Sequence, residues 1–217
     1  MLARHITDRA FFAFAIAGSS ENLRPEQPYV LSARMQGQRM TLEVDDVQVL
    51  AYTLETPPPQ GQLGLFAWAA LSKVEFKDVS VTEAPEKVFV VIPFKDYYIK
   101  DLFADVIKPI VEEKDNNLLA YHAGERLGPG IIIKDIENDI SESKIVIADL
   151  TEPNPNVYYE VGYAHAQKIP TILLVQTDKK LPFDISGYRC IFYENTIGGR
   201  RKIVEQLPRH VQEILGR

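Results

Sequence analysis

The fold of this chain is decided by residues 144–166, which read KIVIADLTEPNPNVYYEVGYAHA. The segment Lys144–Leu150 is dominated by apolar residues, as expected of a parallel strand covered on both faces. A loop dense in polar side chains follows, and Asn154-Pro155 then supplies an N-cap and a first helical position. The stretch therefore predicts a strand, a polar loop and a helix over Pro155–Lys168.

The alternation of strand and helix continues on both sides of this stretch. Because strands that alternate with helices imply right-handed crossovers, the sheet is expected to be parallel. Residues 85–217 are predicted to form a flavodoxin-like, doubly wound α/β domain with five strands in the order 2-1-3-4-5, whose ligand binds where strands 1 and 3 end. The other predicted strands are Lys87–Ile92, Leu118–His122, Pro170–Gln176 and Arg189–Tyr193, and the other helices are Tyr97–Glu113, Ile131–Ser143 and Ile197–Leu215.

Residues 1–84 are instead typical of a small all-β domain. The segments are short and rich in β-branched and aromatic residues. They resemble the latter part of a laminin-G or concanavalin-like β-sandwich, but they are too few for a complete one. A partial sandwich leaves strand edges that seek partners, so a homo-oligomer is expected. The predicted strands are Arg9–Ala17, Tyr29–Gln36, Arg39–Asp45, Val47–Leu54, Gln62–Trp68 and Val74–Val81.

Composition and charge exclude several classes of function. The 217 residues carry a net charge of -6, and no run of Lys or Arg stands out, which argues against a nucleic-acid polymer as partner. No apolar run reaches membrane-spanning length. The 4 histidines show no metal-type spacing, so no metal site is expected. The predicted location is cytoplasmic, and a short signal segment around Phe11–Ala17 is the alternative.

The string Ala148–Ala166 resembles the signature of nucleoside 2-deoxyribosyltransferase-like proteins, which are kin in fold to the Toll/interleukin-1 receptor (TIR) domain. Val88–Ile92 with Pro93-Phe94, and the later Leu181–Asp184, are also similar to bacterial TIR-like members. The resemblance covers residues 86–217. It implies cleavage of the N-glycosidic bond of a nucleoside or nucleotide, with no cofactor.

The resemblance implies a catalytic role for two carboxylates. Glu160 matches the nucleophile that attacks the anomeric carbon through an oxocarbenium-like transition state. Its place near a helix N-terminus favours the ionised form. Asp149 would hold a sugar hydroxyl or steer the leaving base. The structural alternatives are a dipole partner for Glu160 and a loop cap for Asp149.

Substrate contacts are expected from the loops beside these carboxylates. Asn154 and Asn156 would shape the sugar pocket, although both are also good turn and cap residues. An aromatic ring of Phe94, Tyr97 or Tyr98 would stack on the base, and Pro93 is also expected to contact the substrate. Arg126, in the poorly defined region after the second strand, is a candidate phosphate contact.

Three functions remain open from the sequence. The favoured one is cleavage of NAD by a TIR-like enzyme with a role in stress or defence signalling, because the transferases usually lack a β appendage. The second is a 2-deoxyribosyltransferase or a nucleoside or nucleotide hydrolase. The third is a nucleotide-sensing scaffold without catalysis.

Overall fold

The computed structural model contains one parallel and two antiparallel sheets within the residues it describes. These residues are 2–7, 10–16, 24, 26–55, 64–65, 74–93, 97–125, 132–179, 185, 188 and 190–216. The first antiparallel sheet pairs β1 (Leu2–Thr7) with β2 (Ala10–Ile16). The second joins β3 (Leu31–Gln36), β4 (Arg39–Val44) and β5 (Val47–Thr53).

The parallel sheet confirms the α/β prediction for the second half of the chain. Its strands are β6 (Glu86–Val91), β7 (Leu118–Tyr121), β8 (Ser143–Asp149), β9 (Thr171–Gln176) and β10 (Cys190–Tyr193). They lie in the order β10-β9-β8-β6-β7, and every pair is parallel. Counted within this sheet, the order is 2-1-3-4-5, which differs from the dinucleotide-binding order 3-2-1-4-5-6. The first and third strands, β6 and β8, are therefore neighbours.

Helices cover both faces of this sheet. The elements are α1 (Tyr97–Leu102), a π-helical segment (Phe103–Ile107), α2 (Lys108–Val111), a 3-10 turn (Ala123–Glu125), α3 (Ile132–Ser141), α4 (Pro155–Ala166) and α5 (Ile197–Leu215). The α1–α2 run and α5 pack into one apolar core, and α3 and α4 pack into the other. The helices after β6 and β8 thus leave on opposite faces, the arrangement in which open α/β sheets bind ligands beyond the carboxyl ends of the two strands.

The β-rich half follows the predicted strands only in part. Predicted strands match β2, β3, β4 and β5, whereas β1 was not expected, because residues 2–7 show no alternation of apolar and polar residues. The prediction of a strand over Val74–Val81 is wrong. This segment is exposed and pairs with no strand, and Asp78 has a left-handed φ of 53°. β-branched residues favour a strand only where a neighbour pairs with them. The predicted strand Gln62–Trp68 lies outside the described residues except for 64–65.

The β3–β4 hairpin turn is seated on the α/β half of the chain. Gln38 is 1% exposed, and its N–H donates to the carbonyl of Ser141 at the end of α3 (2.9 Å). Its side-chain amide donates to the carbonyl of Gln167 after α4 (2.7 Å). The turn needs glycine, since Gly37 has φ of 54° and an added Cβ would lie 2.6 Å from the backbone carbon of Glu142. Gln38 thus donates hydrogen bonds to carbonyls at the C-terminal ends of α3 and α4, where the helices themselves provide no donor.

Candidate functional site

Residues that the sequence singles out lie at the carboxyl ends of β6 and β8. Val91 of β6 pairs with Ala148 of β8, so the two strands end side by side. Pro93 follows β6 and is buried, and Asp149 is the last residue of β8. The structure therefore brings the carboxyl ends of the first and third strands together, as predicted.

Asp149 is held inside the protein by two hydrogen bonds. It is 1% exposed; its Oδ1 accepts the N–H of Thr151 (2.9 Å) and its Oδ2 accepts the hydroxyl of Tyr193 (2.6 Å). Burial, and then the nearby Asp149 carboxylate, raise the pKa of the Tyr193 hydroxyl, so this group stays protonated as a donor. The Oγ1 of Thr151 also accepts the N–H of Gln176 (3.2 Å). These bonds join the carboxyl ends of β8, β9 and β10.

The loop after Asp149 leads into α4 through a side-chain cap. Asn154 has an extended backbone, and its Oδ1 accepts the N–H of Asn156 at 2.9 Å. Pro155 takes the first helical position, where its missing N–H costs nothing. The predicted N-cap is confirmed. The predicted contacts of Asn154 and Asn156 with a sugar stay predictions, and Asn156 is exposed.

Glu160 lies on the side of α4 that faces the sheet. Its neighbours one helical turn away, Val157 and Ala164, and the adjacent Val161 all belong to the apolar core of that face. Glu160 itself is 8% exposed, and its carboxylate has no hydrogen-bond or ion-pair partner among the described residues. Burial raises its pKa from 4.5 to about 7.

The expectation that the helix N-terminus keeps Glu160 ionised is therefore wrong in direction. The residue is six positions beyond the Asn154 cap, in the second turn of α4. The favourable effect of the helix dipole is confined to the first turn. Burial without a partner disfavours the charged form and decides the pKa. The result is a carboxyl group that exchanges its proton near neutral pH, a property that clusters at functional sites.

His122 belongs to the same edge of the sheet and was missed from the sequence. It directly follows β7, the neighbour of β6. Its Nδ1 accepts the N–H of Gly124 (3.0 Å), and its ring packs edge-on against Phe103 of the π-helical segment, with centroids 4.9 Å apart. His122 could have been predicted only from the strand order, which places the end of β7 beside β6. Helical segments of the π type are frequent at functional sites.

Several predicted contact residues lie outside the described part of the chain. These are Phe94, Arg126 and the whole segment Leu181–Asp184. Tyr97 begins α1, but its side chain is not described either. The stacking and phosphate-binding roles expected of these residues stay predictions.

The described residues also bear on metal and membrane binding. Among them, no group of three or more His, Cys, Asp or Glu side chains is arranged to hold a metal ion. No helix within the described ranges has the length and apolar character required to cross a bilayer. The cytoplasmic location and the homo-oligomer stay predictions.

Comparison with known proteins finds similarity to solved structures and no match by sequence. Neither a model of a known protein family nor a curated protein matches the chain. A 2-desoxiribosyltransferase from Leishmania mexicana is 18% identical, and the match covers 54% of this chain and 82% of that one with a TM-score of 0.38. A CMP N-glycosidase from Clostridium botulinum is 22% identical over 56% and 98%, with a TM-score of 0.40. A conserved protein from Enterococcus faecalis V583 is 16% identical over 58% and 97%, with a TM-score of 0.42.

Proposed function

We propose that this protein cleaves the N-glycosidic bond of a nucleoside or nucleotide, with Glu160 as the nucleophile. The observation that carries the proposal is the buried carboxylate of Glu160, which no described residue pairs with, on the sheet-facing side of α4. A purely structural glutamate is normally exposed or paired, because an isolated buried carboxylate is costly. The resemblance of Ala148–Ala166 to the nucleoside 2-deoxyribosyltransferase signature supports the same role.

The reaction needs two displacements at the anomeric carbon. An ionised oxygen of Glu160 forms a bond to this carbon as the bond to the base nitrogen breaks, and the base leaves with the electron pair. Nicotinamide leaves NAD as a neutral molecule, whereas a base such as cytosine takes up a proton from water as it leaves. Water then attacks the same carbon, the ester bond to Glu160 breaks, and the proton passes to solvent. An acceptor base in place of water would give transfer instead of hydrolysis.

Desolvation of Glu160 favours the first displacement. A carboxylate that is already stripped of most of its water does not have to shed a hydration shell when the substrate arrives. The hydrogen bonds from Thr151 and Tyr193 to Asp149 fix the end of β8, so the start of the loop leading to α4 is held in place. Asp149 thus acts by positioning in this scheme, unless a substrate hydroxyl shares one of its oxygens.

NAD is the substrate proposed first, because the three-stranded sheet on this α/β domain departs from the compact transferases. The test is chromatography of the products after incubation of concentrated protein with NAD, with CMP, and with a deoxyribonucleoside plus a second free base. We expect a free base from at least one of the three, and none with Glu160→Gln. Nicotinamide release would assign the NAD branch, and base exchange would assign the transferase. Absence of base release from all three would contradict the proposal.

The pH dependence of the reaction follows from the raised pKa of Glu160. Only the ionised carboxylate attacks, so kcat/KM is expected to rise about tenfold per pH unit below the pKa. It should level off above a pKa of about 7. The measurement is kcat/KM between about pH 5 and pH 9, with substrate stability checked in protein-free samples. A profile that is flat below pH 7 would show that no such carboxylate limits the reaction.

A further inference from the structure

A polar groove crosses one face of the three-stranded sheet, at the junction with the α/β half of the chain. The strand register places Arg34 opposite Thr41 and Gln36 opposite Arg39, so these side chains share one face of the β3–β4 pair. The groove has a volume of about 170 Å³, enough for several water molecules. It is lined by Arg34, Gln36, Arg39, Thr41, Glu43, Gln48 and Glu142.

The two arginines of the groove differ in their hydrogen-bond and ion-pair partners. Arg39 donates to Oδ1 of Asn138 (2.6 Å), and its Nε lies 3.3 Å from Oε1 of Glu142. Arg34 has no hydrogen-bond or ion-pair partner for its guanidinium among the residues that the structure describes. Diagonal neighbours on a β-ladder are roughly 7–8 Å apart, a gap that one ligand between two guanidinium groups can bridge. The groove thus presents one guanidinium that is engaged and one that is available.

The junction lets Arg39 turn toward a ligand without leaving a carboxylate unpaired. Glu142 is also bound by Lys87 through its other oxygen, at 2.5 Å. If Arg39 moved, Glu142 would keep this partner. With Lys87 included, the groove and its rim hold three cations, Arg34, Arg39 and Lys87, against the two carboxylates Glu43 and Glu142. The side-chain amides of two glutamines and the Thr41 hydroxyl add neutral donors.

We propose that this groove binds a small phosphate-class oxyanion, held between Arg34 and Arg39. Guanidinium groups match the paired oxygens of such an anion in a bidentate fashion. The site is separate from Glu160 and does not rest on the proposed function. Glu142 precedes β8 and Asp149 ends it, so the seven residues of this strand set the two sites roughly 20 Å apart.

The test is isothermal titration calorimetry of the full chain with inorganic phosphate, at constant ionic strength set by chloride. Glycerol phosphate, in a second titration, distinguishes a free ion from a small phosphate ester. We expect saturable binding of one of these probes to the wild type, and at least tenfold weaker binding to Arg34→Gln. The matched control is Lys77→Gln, which removes the same charge from an exposed side chain outside the groove and should bind as the wild type does.

Two results would overturn the proposal. One is the absence of saturable binding of either probe to the wild type. The other is equal affinity in the wild type and in Arg34→Gln, which would place the anion elsewhere on the protein. The substitution is safe for the fold, because Arg34 is exposed and unpaired among the described residues. A change in affinity therefore reports on the groove.

Discussion

Replacement of Glu160 by Gln is expected to lower kcat by a factor of about 10³ or more, because removal of a nucleophile leaves only binding and positioning to accelerate the reaction. The change keeps the size of the side chain and removes its ionisable group. The measurement is base release under saturating substrate. The matched control is Glu205→Gln on the exposed side of α5, which should leave kcat unchanged. Activity of Glu160→Gln within tenfold of the wild type would contradict the nucleophilic role.

The same substitution is expected to stabilise the protein at alkaline pH. The pKa of Glu160 is raised from 4.5 in the unfolded chain to about 7 in the folded one. Between these values the folded state binds a proton that the unfolded state lacks, so the free energy of unfolding falls as pH rises. Above pH 7 the full penalty is present, about 3 kcal/mol for this change in pKa. Glu160→Gln has no such penalty.

Urea unfolding of both proteins at several pH values measures this difference. The advantage of Glu160→Gln should be small near pH 4.5 and largest above pH 7, whereas Glu205→Gln should follow the wild type throughout. A constant difference across the pH range would mean that Glu160 does not titrate with a raised pKa. If Glu160 is a functional group, its replacement should lower activity and raise stability together. This pattern is expected where a group needed for activity lowers the free energy of unfolding.

The parallel sheet was predictable because its signals are local. Continuous apolar runs such as Lys144–Leu150 occur where a strand is covered on both faces. The Asn154-Pro155 pair marks a helix start through contacts within three residues. The right-handed crossover rule then limits how such elements assemble. The strand prediction over Val74–Val81 was wrong because strand formation there depends on a non-local feature. It needs a partner strand, which the sequence of the segment does not reveal.

The candidate site was predictable in its position and not in its electrostatics. The sequence places Glu160 on the helix after β8, but the direction of its pKa shift depends on the core around Val157 and Ala164. Tyr193 carried no sequence signal, because its partner Asp149 is 44 residues away. It reaches that partner only when β9 brings β8 and β10 into one sheet. Contacts of this kind follow from topology and leave no local pattern.

Replacement of Tyr193 by Phe is expected to lower the free energy of unfolding by about 2 kcal/mol, because it removes a buried hydrogen bond to a carboxylate. Tyr193 is fully buried, and its hydroxyl lies 2.6 Å from Oδ2 of Asp149. The control is Tyr188→Phe, which removes a hydroxyl from an exposed ring stacked on His165 and should change stability little. Urea unfolding at pH 7 measures both.

A double-mutant cycle with Asp149→Asn then separates the positioning role of Asp149 from direct contact with substrate. If Tyr193 and Asp149 act as one unit, their effects on stability are coupled by at least about 1 kcal/mol. Because the pair fixes the end of β8, from which the loop leads to α4 and Glu160, we expect both single variants to lower kcat by similar factors and to leave KM nearly unchanged. Additive effects on stability would contradict the coupling. A loss of activity confined to Asp149→Asn would instead indicate that its carboxylate contacts the substrate.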